Sequence, residues 1–222
     1  MARSPFGSLT AGSRGALLEL VRVERFARKQ RILQQGEPPR GVLLLGAGRV
    51  KLERVTQGRT FTVGHRGPGE LVGEALLGVA GLGAATENAT VLDEVEAAVL
   101  PVNGLRKLLT ADAALRAAAV AALVECQLEA EARLSSLLLR GVEVRLVELL
   151  TSAAKRWGQP HPKGELVAAP FTHADIALLI GSTRETVTLL LGRMKRAGLI
   201  EFDRRRIVIR DAAGLALRAA AT

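Results

Sequence analysis

From Leu105 to Leu139 the chain contains neither proline nor glycine. The stretch is built largely from Ala, Leu, Glu and Arg, which enter a helix at little cost, and it predicts one long helix. Leu115, Ala119, Ala122, Cys126, Ala130, Leu134 and Leu137 recur along it at spacings of three and four. That is an apolar stripe whose first half is lined by small residues suited to close helix contact. Such a helix is too long for a single small domain. The expectation is that one face stays free and pairs with a second copy in a symmetric dimer; packing against its own domain is the alternative. No apolar run approaches the ~20 residues a membrane span requires, since Arg116 interrupts even the alanine-rich run from Ala113 to Val124. The N-terminal MARSPFGSLT lacks the apolar core of a secretory signal. A soluble, cytoplasmic protein is expected.

Ahead of the helix, from Gly41 to Leu100, the pattern is that of strands. Val42 to Leu45 is a short apolar run between Gly41 and Gly46, and Val50, Leu52, Phe61 and Val63 alternate with polar neighbours. Gln57-Gly58 separates two such runs and reads as a hairpin turn, and Val91 to Leu100 returns to strand composition. Many short strands with hairpin signals suggest an antiparallel roll or barrel. After the helix, Gly141 is the expected hinge, a further helix covers roughly Val142 to Lys155, and Gln159 to Gly164, with two prolines, reads as a loop.

Charge divides the chain more sharply than its total of +9 suggests. Residues 1–66 carry 13 basic and 4 acidic side chains, residues 67–131 carry 3 and 10, and residues 132–222 carry 15 and 8. A polyanion is therefore attracted to the ends of the chain and repelled from its middle.

Residues 171–210 are the most specific segment. Thr172 followed by Asp175 has the form of a capped helix start, Ile176, Leu179 and Ile180 share one face, and Gly181 stops the helix. Ser182-Thr183-Arg184-Glu185 has the form of a capping box opening a second helix, which ends on Gly198. Two short helices joined through a glycine turn are a helix-turn-helix. Leu199 to Phe202 and Ile207 to Ile209 then flank Asp203-Arg204-Arg205-Arg206, a hairpin with a basic tip, which is the wing of a winged helix. From Arg184 to Arg210 there are 8 basic and 3 acidic residues. The second helix suits a major groove with its first turn toward base edges: Arg184 offers two donors to guanine and Glu185 accepts from cytosine. Glu185 serves instead, or in addition, as the acid of its capping box. Arg193, Lys195, Arg196 and the wing arginines Arg204, Arg205 and Arg206 are placed to neutralise phosphates. Ser182, Thr183, Thr188 and His173 complete the candidate DNA-facing set, His173 lying toward phosphate or solvent.

FTHADIALLIGSTRETVTLLLGRMKRAGLIEFDRRRIVIR at 171–210 resembles the DNA-binding domain of the CRP/FNR superfamily of bacterial transcription regulators. GPGELVGE at 67–74 resembles the hallmark turn of that family's cyclic-nucleotide-binding-like roll, and VEAAVLPVNGL at 95–105 its last strand and following helix. The resemblance implies an α+β chain with a sensor roll over residues 1–104, a dimerisation helix over 105–140 and a winged helix-turn-helix over 141–222. It implies a homodimer on palindromic double-stranded DNA, with RNA polymerase as a further partner if the protein activates. Thr172 would then contact phosphate, and Arg184 and Glu185 would read bases. Where members reading a G-rich half-site carry a third, arginine contact, this chain has Leu189, which cannot donate a hydrogen bond and suits a thymine methyl or a sugar.

An effector is harder to place. Glu74 matches the family glutamate that meets a ribose hydroxyl, and it is the one candidate ligand residue. The cation that would meet a cyclic phosphate is not found in Gly81 to Thr86, and no Lys or Arg occurs from Gly67 through Leu105. Leaving a phosphate unpaired on burial costs several kcal/mol or more, so independence from cyclic AMP is expected. The alternative is a regulator gated by a nucleotide or another small ligand in the roll. Cys126 is the sole cysteine, which excludes an all-cysteine cluster; it is expected on the dimer stripe, with a pair across the dimer left open. Of the haem-ligand candidates His65, His161 and His173, His65 reads as a solvated turn residue. No nucleophile–base, metal-ligand or phosphate-loop spacing appears, so no enzyme, cofactor or metal is expected.

Overall fold

A computed structural model describes residues 5–7, 9–78, 83–168, 171–204 and 206–220. It divides into two compact units, Met1–Ala130 and Glu131–Thr222. The division falls within a long helix, ahead of Gly141.

The first unit begins with α1 (Ala11–Leu20), opened by Thr10, whose hydroxyl accepts from the Ser13 N–H. Then come β1 (Arg22–Phe26), β2 (Arg31–Leu33), β3 (Val42–Thr56), β4 (Arg59–Arg66), β5 (Leu71–Val72), α2 (Ala75–Gly78) and β6 (Asn88–Leu100). All their pairings are antiparallel, in the order β1-β6-β3-β4, with β2 also on β6 and β5 on β3. The β3–β4 hairpin turns at Gln57 and Gly58, with φ of 51° and 73°. Two consecutive left-handed residues give the turn that matches strand twist. Val50, Leu52, Val91, Val95 and Val99 fill the interior of the roll, as the alternating pattern requires.

The predicted single helix is two. α3 (Val102–Ala111) and α4 (Ala113–Leu139) are separated at Asp112, which is extended, with φ −113° and ψ 111°. Its carboxylate accepts from the Leu115 N–H at 3.0 Å. A side chain that caps can end a helix in the absence of proline or glycine.

The first half of the expected free stripe is buried, whereas Ala130 and Leu134 in its second half are exposed. Leu115, Ala119 and Ala122 are buried, and Leu115 and Ala122 join α1, α3 and the roll in one core. Cys126 is half-buried and meets Glu74. The exposed large apolar side chains on this part of α4 are Val120, Val124 and Leu128.

The second unit continues with α5 (Val142–Trp157), β7 (Gly158–His161), β8 (Gly164–Val167), α6 (His173–Ile180), α7 (Arg184–Arg196), β9 (Ile200–Asp203), β10 (Arg206–Ile209) and α8 (Ala212–Ala220). Its sheet runs β7-β8-β10-β9. The expected loop at Gln159–Gly164 is thus a hairpin: Pro160 sits on the edge strand β7 opposite Glu165, where the missing N–H costs no ladder bond. Leu146, Leu150, Ile176, Val187, Leu191, Met194 and Ile200 form the core that holds both helices of the helix-turn-helix against α5.

Candidate nucleic-acid interface

The geometry of the helix-turn-helix follows from its caps. Thr172 and Asp175 form a reciprocal capping box at the start of α6. The Thr172 hydroxyl donates to Asp175 Oδ2 at 2.6 Å and accepts from the Asp175 N–H at 3.1 Å, so its proton is already committed inside the protein. α6 ends at Gly181, which is left-handed (φ 59°, ψ 53°). A Cβ there would stand 3.0 Å from the Leu137 Cδ2 methyl, which would have to shift slightly, so it is the left-handed conformation that favours glycine.

The second cap is not the one the sequence suggests. Ser182 belongs to the turn, its N–H donating to the Ala177 carbonyl at 2.9 Å. Thr183 is the N-cap of α7 and accepts from the Thr186 N–H. The acid-bearing position of a capping box is then occupied by Thr186, and Glu185, one residue earlier, is exposed and released from that role. Arg184 is exposed beside it on the first turn. Thr188 and Leu189 are exposed on the second turn, and Arg193, Lys195 and Arg196 lie on the last. Val187, Leu190, Leu191 and Met194 face the core. One face of α7 is therefore charged, apolar and charged again from start to end.

His173 is part of a small junction. Its Nδ1 lies 2.8 Å from Thr188 Oγ1, and its ring is 6.4 Å from that of Phe202 on β9. Lys195 Nζ stands 5.7 Å from the centre of the same Phe202 ring. His173 thus ties α6, α7 and the wing together. In the wing, Arg204 is exposed in the left-handed region (φ 45°). Arg206 begins β10 and reaches Asp203 at 3.4 Å, so part of its charge is balanced within the hairpin. Arg205 lies outside the described residues, as do Gly81 and Leu82 of the degenerate effector stretch.

In the first unit the structure corrects the account of the roll. His65 is buried on β4 opposite Lys51, not a solvated turn residue. Just ahead of the cation-free stretch 67–105, Arg66 at the end of β4 reaches Glu74. Its Nη2 is 3.0 Å from Glu74 Oε1, and both side chains are only 13% exposed. Burial opposes the charge on Arg66, but the Glu74 carboxylate and the hydrogen bond to it outweigh burial and hold the guanidinium protonated. Cys126 Sγ is 3.6 Å from the same Oε1. Burial, then the Glu74 charge, push its thiol up to about 11. Glu87 is also buried; desolvation first and Glu74 second raise its pKa, against Arg66 and Arg54. Arg66 was legible only from its place one residue ahead of the Gly67–Glu74 turn.

A capped recognition helix, a glycine turn and a basic wing, carried by a chain that also holds an antiparallel roll, define a transcription regulator with separate sensor-like and DNA-binding domains. Residues 132–218 match the Crp-like helix-turn-helix domain family and residues 23–112 the cyclic nucleotide-binding domain family. The chain is 30% identical over 190 residues to the global nitrogen regulator of Synechococcus elongatus, covering 85% of this chain and 86% of that one. It is 27% identical over 205 residues to the CRP-like cAMP-activated global transcriptional regulator of Mycobacterium tuberculosis, covering 92% and 91%. Among solved structures, a CRP-family transcriptional regulator of Thermus thermophilus, TTHB099, superposes with a TM-score of 0.74 at 26% identity, covering 90% of this chain and 97% of that one. The chain belongs to the CRP/FNR superfamily of transcription regulators. No helix among the described residues is long and apolar enough to cross a membrane.

Proposed function

We propose that this protein is a sequence-specific DNA-binding transcription regulator that acts as a homodimer on a palindromic site and does not depend on cyclic AMP. The observation that carries the reading is the outer face of α7. Arg184 and Glu185 are exposed on its first turn, Glu185 free of the cap, and Arg193, Lys195 and Arg196 stand at its end beside the arginine-bearing wing. Donors and an acceptor for base edges at the start of the helix are thus followed by cations for phosphate at its end. Thr172, with its hydroxyl proton spent on Asp175, contributes by fixing the start of α6. The homodimer is supported by Val120, Val124 and Leu128, which are 54%, 47% and 58% exposed on successive turns of α4, a seam suited to a second copy of the same helix. RNA polymerase is a further partner if the protein activates.

Independence from cyclic AMP is supported by the state of Arg66. Its guanidinium is already paired with Glu74 and donates to the His65 carbonyl, so its charge is balanced within the roll before any phosphate arrives. A second reading, a roll gated by some other small ligand, rests on Glu74 Oε2, which is buried with no hydrogen-bond partner among the described residues. Selection of bound sequences from a random DNA pool, with and without cyclic AMP, separates the readings. Recovery of a two-fold symmetric site without ligand is the expected result. Recovery only with ligand, or micromolar cyclic AMP affinity by calorimetry, refutes independence.

A further inference from the structure

The middle of the recognition face offers a partner no hydrogen-bond donor. Thr188 Oγ1 donates to the Arg184 carbonyl at 2.8 Å, which uses its single proton. It therefore stands as acceptor toward His173 Nδ1, 2.8 Å away. Leu189 follows, 52% exposed, one turn beyond Glu185 and on the same side of the helix. The core does not need it, since Leu190 and Leu191 supply the buried side of α7. Half a leucine is thus held in water between Arg184 and Glu185 on one side and Arg193 on the other.

In the major groove the apolar group a base edge presents is the C5-methyl of a pyrimidine. We propose that Leu189 recognises that methyl group, so that each half-site carries a C5-methylated pyrimidine next to the base pair met by Glu185. Thymine is one source of the methyl and 5-methylcytosine the other. This inference rests on the docking of α7 proposed above. A sugar would also accept Leu189, but it would leave the pyrimidine unspecified.

Burying one methyl is worth ~0.8 kcal/mol, about a 4-fold change in Kd for one half-site and about 15-fold for a symmetric pair. The test uses the full-length protein and the site recovered by selection, measured by fluorescence anisotropy. Replacing each half-site thymidine in turn by deoxyuridine removes only the methyl. One position is expected to weaken binding about 4-fold per half-site. A cytosine at that position is expected to bind more weakly than thymine and to regain the same factor when 5-methylated. Leu189→Ala is expected to lose the response to the methyl in both pairs of DNAs, and Leu189→Met to keep it. A wild-type protein indifferent to deoxyuridine at every position, or a Leu189→Ala variant that still discriminates, overturns the proposal while leaving DNA binding intact. Failure to select any DNA overturns the docking itself and this inference with it.

Discussion

Glu74→Gln tests whether the Arg66–Glu74 pair is as buried as its geometry indicates. Each side chain is 13% exposed and the charged atoms are 3.0 Å apart. With an effective dielectric constant of about 20, the gross attraction at that distance is ~5 kcal/mol. Much of this is offset by taking Glu74 out of water, but removing one partner of a buried pair leaves the other charge uncompensated, at a typical cost of ~3–5 kcal/mol. Glutamine keeps the shape and one acceptor for the guanidinium, worth ~1 kcal/mol. The expected loss is ~2–4 kcal/mol in the first unit, a fall in its Tm of roughly 6–12 °C at about 3 °C per kcal/mol. Differential scanning calorimetry measures it, and the chain supplies an internal control. Trp157, its single tryptophan, lies in the second unit, and there is no tyrosine, so the tryptophan fluorescence transition reports the winged helix. That transition is expected to stay where it is. Arg66→Met combined with Glu74→Leu is expected to regain at least half of the loss, because no charge is then left buried. A Glu74→Gln protein within about 2 °C of the wild type in both transitions, a shift below 1 kcal/mol on the same scale, refutes the burial of the pair. A double variant less stable than Glu74→Gln refutes the explanation by uncompensated charge.

The other consequences concern the same pocket and the helix behind it. Glu87 has its pKa raised in the folded state by burial and by Glu74, so the folded protein holds that proton more tightly than the unfolded chain, and the cost of ionising it appears as pH rises through the folded pKa. Glu87→Gln is therefore expected to raise the calorimetric Tm of the first unit at pH 8 and to leave it unchanged at pH 4; a gain at both values refutes the titration. In the Cys126→Ser background, Val124→Cys is expected to give a disulfide-linked dimer under mild oxidation at pH 8, visible on a non-reducing gel. Native Cys126, turned to Glu74 with its thiol held protonated, is expected to give none, and the reverse pattern refutes the assignment of the α4 seam.

The winged helix was legible from sequence because its signals are local. Thr172, Asp175 and Gly181 act within a few residues of themselves, and the apolar face of α6 follows from helical spacing. The arginine-tipped hairpin from Leu199 to Arg210 is likewise a short-range pattern. What misled was the choice between near-equivalent local signals. Ser182 and Thr183 are both good N-caps, and only the packed turn, in which the Ser182 N–H returns to Ala177, gives the cap to Thr183 and frees Glu185. Pro160 looked like a loop residue because proline is excluded from central strands; its place on a sheet edge depends on which strands pair.

By itself, then, the sequence determined the antiparallel roll, the long helical middle and the winged helix-turn-helix and their order along the chain, since caps, periodicity and charge are properties of neighbours in the chain. Tertiary structure decided which of two apolar faces of α4 enters the core, and it brought Arg66, Glu74, Glu87 and Cys126 around one point. The physical reason is that burial and Coulomb attraction act through space. The cation that pairs with Glu74 sits one residue ahead of a stretch without positive charge, and only the packing of β4 beside the turn brings it into range.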